Sequence, residues 1–232
     1  MTSAEALADL VAVMDRLRSP GGCPWDAEQT HASLVPYAVE EVFEVVEAIE
    51  TGDHAGLREE LGDLLLQVVF HARIAQEHPT EPFDLGDVAT GIAAKLRRRH
   101  PHVFASAQVR DAAHVSERWD EIKRAEKSRE SVTDGIPAGL PALARAQAVL
   151  SRSRRVGLGV PLDAERGAGA VQEDDAAALG SALLLLVERA DAAGVDAEAA
   201  LRAAVRGVET RIRASENPAS GATATAAAHH VD

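Results

Sequence analysis

Apolar residues recur at helical spacing along nearly the whole chain, and each recurrence ends at a breaker. Val39, Val42, Phe43, Val46 and Ile49 make one stripe of a helix. A denser run comes next, in which Leu61, Leu64, Leu65, Leu66, Val68, Val69, Phe70 and Ala72 leave almost no polar side, so this helix is expected to be buried. No stretch alternates apolar and polar residues for long, which argues against strands. The pattern predicts an all-α protein with helices over 4–18, 31–51, 54–78, 84–99, 111–129, 140–155, 174–193 and 196–215. Ser19-Pro20-Gly21-Gly22-Cys23-Pro24 separates the first two, Asp53 and Asp84 are N-caps, and Pro79 and Pro101 mark stops.

Two prolines and two glycines within 131–141 predict a linker that divides the chain into a region 1–130 and a region 142–216. The final stretch, 217–232, is rich in Ala, Ser and Thr without amphipathic period and is expected to be disordered. Across the linker, Glu60-Leu61-Gly62-Asp63-Leu64-Leu65-Leu66 matches Ala178-Leu179-Gly180-Ser181-Ala182-Leu183-Leu184, an internal repeat that keeps the packing residues and loses both carboxylates. Residues 157–173 are too short and too rich in Gly to supply a second acidic helix. The second region therefore reads as an eroded copy with a structural role.

Against this apolar background the carboxylates stand out. Glu40, Glu41 and Glu44 share one predicted helix, and Glu59, Glu60 and Asp63 open the next; each group contains an i, i+3 pair, which places two acids on one helix face. On the first helix alone, where Glu41 and Glu44 lie opposite the apolar stripe, a solvated acidic face is the better reading. The second helix shifts the balance: its single polar stripe of Glu60, Asp63, Gln67 and His71 runs through apolar surroundings, and ionised carboxylates are rarely buried without a partner or a metal. Ion pairs to Arg58 or Arg97–Arg99 would also answer the charge. A hard cation such as Mg2+, held by a few carboxylates together with waters and phosphate oxygens, is the alternative that suits an all-oxygen set.

Composition narrows the classes. With 232 residues, 46% of them apolar, the chain can build a sizeable core, and its single cysteine, Cys23, fits a reducing compartment without a disulfide framework. Charged residues interrupt the first 18 positions and no apolar run is long enough for a membrane span, so a cytoplasmic protein is expected, with no membrane partner. A formal net charge of −13 argues against nucleic acid as a partner. One segment opposes that charge: Lys95-Leu96-Arg97-Arg98-Arg99-His100, to which Lys123 adds. One or two such cations would only answer a helix C-terminus; four beside a histidine suit a phosphate-bearing anion. Carboxylate-held metal beside guanidinium groups is what phosphoanhydride hydrolysis requires. Walker-type loops, zinc-type histidine pairs and serine elbows are missing from the sequence.

Four ordered strings, Gly22-Cys23-Pro24-Trp25-Asp26-Ala27-Glu28-Gln29-Thr30-His31, Glu40-Glu41-Val42-Phe43-Glu44, Glu60-Leu61-Gly62-Asp63, and Lys95 through Arg98-Arg99-His100-Pro101-His102-Val103-Phe104, resemble the MazG family of nucleoside triphosphate pyrophosphohydrolases. The resemblance covers residues 5–130. It implies a four-helix catalytic module that forms a homodimer, and Mg2+-dependent conversion of a nucleoside triphosphate to the monophosphate and pyrophosphate, with Mn2+ as a substitute ion and a nucleotide-pool house-cleaning role. Matching positions imply that Glu41, Glu44, Glu60 and Asp63 bind metal, with Glu40 as a further site carboxylate. Lys95, Arg98, Arg99 and Lys123 fall at positions used around the triphosphate, and Trp25, Asp26 and Gln29 in the segment bordering the nucleotide. Ala178 and Ser181 replace the metal-binding pair in the second copy, so activity is expected in the first. Two rivals stay open: a related all-α hydrolase with a narrow substrate, of the dUTPase or phosphoribosyl-ATP pyrophosphohydrolase kind, and a non-catalytic nucleotide-binding helical dimer.

Overall fold

The computed structural model describes residues 1–105, 111, 115, 131–159, 162 and 176–216, and among these every regular element is a helix. The chain divides into two compact units, Met1–Lys123 and Arg124–Asp232. In the first, the helices are α1 (Ser3–Arg18), α2 (Pro24–Glu28), α3 (Val35–Thr51), α4 (His54–Ala75), α5 (Leu85–Arg99) and α6 (Pro101–Phe104). In the second they are α7 (Ala142–Arg155), α8 (Ala176–Ala192) and α9 (Ala197–Glu216). Apart from residues 111 and 115, the expected helix over 111–129, with Lys123, and the expected disordered tail 217–232 lie outside the described residues.

Local chemistry explains most boundaries. Thr2 and Glu5 close a capping box on α1, and Asp84 and Asp87 close another on α5, each satisfying backbone donors that the first helical turn leaves open. Asp53 accepts from the backbone N–H groups of Ala55 and Gly56 at 3.0 and 2.9 Å, which starts α4. Just before it, Gly52 ends α3 in the left-handed region at φ 74°, so α3 and α4 form a tight helical hairpin. The expected helix over 31–51 starts later, at Val35, because Pro36 favours the first helical turn and residues 31–34 form a turn held by Thr30 and Ser33.

The core of the first unit is small: Met14 of α1, Leu34, and Val69 and Phe70 of α4, flanked by Leu10, Val11, Leu66, Ile74 and Leu85. Helix α4 packs on α1, α3 and α5. It is nonetheless not buried all round as its composition predicts, for Leu61, Leu65 and Val68 are exposed. The reason is geometric: the neighbours in this unit cover the other sides and leave one apolar face open. On α3 the expectation is reversed. Val39, Val42, Phe43 and Ile49 face outward, 41–59% exposed, whereas Glu41 is half-buried against α4.

Arg18 ties the segment after α1 in place. Its guanidinium, 7% exposed, donates to the carbonyls of Asp26 and Gln29 and pairs with Glu77 at 2.8 Å, binding α1, the α2 segment and the end of α4 together. Gly22 is required here, since a Cβ at that position would collide with the carbonyl groups of Leu17 and Arg16. Arg18→Ala should destabilise the protein by about 2 kcal/mol in denaturant melts, mostly through the two carbonyls, because the Glu77 end is solvent-screened. The Arg18 hydrogen bond, with Arg73 nearby, holds the Glu77 carboxyl below its ordinary value of 4.5 against partial burial. Its stabilisation is therefore complete above pH 4.5 and disappears as pH falls through the lowered value, an acid limb that Arg18→Ala should flatten.

In the second unit α7 packs on α8 and α9, with Leu150, Ala178 and Val187 buried. The Gln147 amide bridges the Val195 carbonyl and the Ala197 N–H, and so joins α7 to the start of α9. Residues 131–141 run in turns, and Arg152 donates to the carbonyl of Asp134 at 3.0 Å.

Candidate active site

The α3–α4 hairpin brings the two i, i+3 pairs face to face. Carboxylate oxygens of Glu41, Glu60 and Asp63 lie within 4.8 Å of one another. Glu44 lies beside the group as a fourth acid and raises the Glu41 and Glu60 carboxyls. Like charges this close repel unless a proton or a cation offsets them. The electrostatics agree: the Glu41 carboxyl is raised above 4.5 by burial, then by its contact with Glu44 and the charge of Asp63, and Gln67 opposes this by donating a hydrogen bond. Glu60 is also raised, by desolvation and then by the charges of Glu44, Glu59 and Asp63. Four acids, all of them oxygen donors and half in water, fit a hard divalent cation that keeps part of its hydration shell. When bound, such a cation offsets phosphate charge and polarises water.

Other predicted residues are placed less centrally. Glu40 is exposed, one position off the face that carries Glu41 and Glu44, and outside the group whose oxygens converge. Lys95 and Arg98 are exposed in the last turns of α5, and Arg99 beside them is buried. Trp25 is half exposed and meets Tyr37 and Phe70 edge to face at 6.0 and 6.4 Å. Asp26 contributes its carbonyl to Arg18. The Gln29 amide donates to the Trp25 carbonyl and accepts from Ser33, so it shapes the α2 turn.

Three residues gain importance from the structure. Tyr37 lies one turn before Glu41 on α3, a position readable from the i, i+4 spacing. Gln67 and His71 extend the acidic stripe of α4. His71 meets His31 with Nδ1 atoms 2.7 Å apart and rings stacked at 5.0 Å. A single proton serves that contact, and burial followed by the His31 charge lowers the His71 value below 6.5. In the second unit no equivalent cluster exists among the described residues: Ala178 is buried, and Ser181 spends its hydroxyl on the Ala177 carbonyl.

Residues 29–104 match the model of the MazG nucleotide pyrophosphohydrolase domain. Over 211 residues the chain is 50% identical to an uncharacterised 26.1 kDa protein of Streptomyces cacaoi, covering 90% of this chain and 82% of that protein. A nucleoside triphosphate pyrophosphohydrolase of Escherichia coli K12 is 50% identical over 152 residues, 64% of this chain and 57% of its own length. One from Mycobacterium tuberculosis is 40% identical over 212 residues, 91% of this chain and 58% of its own length. The chain thus spans little more than half of these two named relatives.

Proposed function

The chain belongs to the MazG nucleotide pyrophosphohydrolase family, and from that premise we propose that it hydrolyses nucleoside triphosphates to the monophosphate and pyrophosphate with Mg2+ as cofactor. The observation that carries this reading is the convergence of Glu41, Glu60 and Asp63 with Glu44 against them. In this reading these four hold the cation, and Glu40 stands at the rim to orient water. Lys95, Arg98 and Arg99 answer the triphosphate charge together with Lys123, and Trp25, with Asp26 and Gln29 shaping its loop, borders the nucleoside. The second unit serves as a scaffold, and the cellular role is control of the nucleotide pool in the cytoplasm. Among the described residues no helix is long and apolar enough to cross a membrane.

Incubation with a panel of ribo- and deoxyribonucleoside triphosphates tests the reaction. Monophosphate and pyrophosphate should appear in equal amounts and only with a divalent ion; diphosphate and phosphate would refute it. Turnover of several bases would separate the broad reading from a narrow, dUTPase-like one.

We further propose a homodimer through the apolar face of the hairpin. Its support is the exposed set Val39, Val42, Phe43, Leu61, Leu65 and Val68, large apolar side chains left open on both helices of the hairpin. Light scattering should give twice the chain mass, and Phe43→Asp should bring it to one chain. A wild-type monomer would end this proposal.

A further inference from the structure

One turn beyond Asp63 the polar stripe of α4 reaches Gln67, whose side chain is only 7% exposed beside buried Val69 and Phe70. An amide in that position costs free energy unless both of its ends are used. One end is used: the amide acts on the Glu41 carboxyl as a donor would, lowering it against the rise that burial imposes. The other is not, since Oε1 has no hydrogen-bond partner among the described residues. The amide cannot gain by turning over, because Oε1 would then oppose the Glu41 carboxylate and the bond would be lost. Packing does not explain the residue either, as Met or Leu would fill similar volume without a stranded oxygen. Oxygen and nitrogen of one amide are adjacent, so the stranded atom lies at the edge of the carboxylate group.

We propose that Gln67 is a positioning residue of the carboxylate cluster: its amide hydrogens fix Glu41, and its carbonyl oxygen accepts from a water on the bound cation. This rests on the reading of the cluster as a divalent-cation site. Carboxylates that bind metal ions are themselves held by outer hydrogen bonds, and the removal of such a partner weakens ion affinity. Hard cations retain waters whose polarised hydrogens need acceptors, and a buried carbonyl already desolvated is a good one.

The full chain carrying Gln67→Met, and separately Gln67→Leu, tests this without nucleotide. Mn2+ binding, followed by loss of the free-ion paramagnetic signal, should weaken about ten- to a hundredfold. Thermal melting of the ion-free variants should stay level or rise, since a half-used buried polar group has been removed. Unchanged Mn2+ affinity in both variants overturns the proposal. So does a clear fall in melting temperature, or failure to fold, in both, because the amide would then serve the core. Wild-type protein that takes up no Mn2+ would fell the cation site itself, and this assignment with it.

Discussion

Replacing Glu41 or Glu60 by glutamine should cut Mg2+-dependent pyrophosphate release by about a thousandfold while leaving the helices folded. Glutamine keeps the size and one oxygen of each side chain but removes the charge that holds a cation. Both carboxyls are raised, first by burial and then by the acids beside them, so neutralising one relieves desolvation and repulsion together. The ion-free variants should therefore melt no lower than wild type. Loss of activity with an unchanged or raised melting temperature separates a functional acid from a structural ion pair, whose removal would lower both. A full rate in either variant would take that residue out of the chemistry.

Divalent ion should reverse the pH dependence of stability. In the ion-free protein, Glu41 and Glu60 bind protons more tightly when folded than when unfolded. Their contribution is thus fully present below the ordinary value of 4.5 and is lost as pH rises through the raised values. Saturating Mg2+ removes that penalty at neutral pH, and at a hundred times its dissociation constant should add about 2.7 kcal/mol. For a chain of this size that raises the melting temperature by roughly 5–10 °C. As pH falls toward 4.5 protons displace the ion and the increment fades, so melting curves recorded with and without Mg2+ should converge in acid. An increment that persists in acid would place the ion elsewhere.

Helix positions and the pairing of acids are legible in the sequence because both depend on local spacing. Asp53, Asp84 and the two i, i+3 carboxylate pairs announce themselves within a few residues. What periodicity cannot disclose is which side of an amphipathic helix its own chain covers. On α3 the stripe of Val39, Val42 and Phe43 reads as the inner face and is the outer one, because the acids claim the contact with α4. The roles of Gln67 and Arg18 are hidden for a related reason. Each matters through partners that are remote or unusual, Glu41 across the hairpin for the first and two backbone carbonyls for the second. The α2 turn is masked by the glycines and prolines around it, which signal a break but not the short helix beyond it.

The tight turn at Gly52–Asp53 has a further bearing on how the protein comes into being. Glu41, Glu60 and Asp63, with Glu44 beside them, lie on α3 and α4, within one continuous stretch of chain closed by a two-residue bend. Closing so short a segment costs little entropy, and contacts of this kind form early on the folding pathway. During synthesis the cluster can assemble as soon as Ala75 has left the ribosome, well before α7 to α9 exist. Ion capture by the emerging hairpin would then act as a staple on the nascent chain, and growth in medium depleted of divalent ions should lower the yield of folded protein.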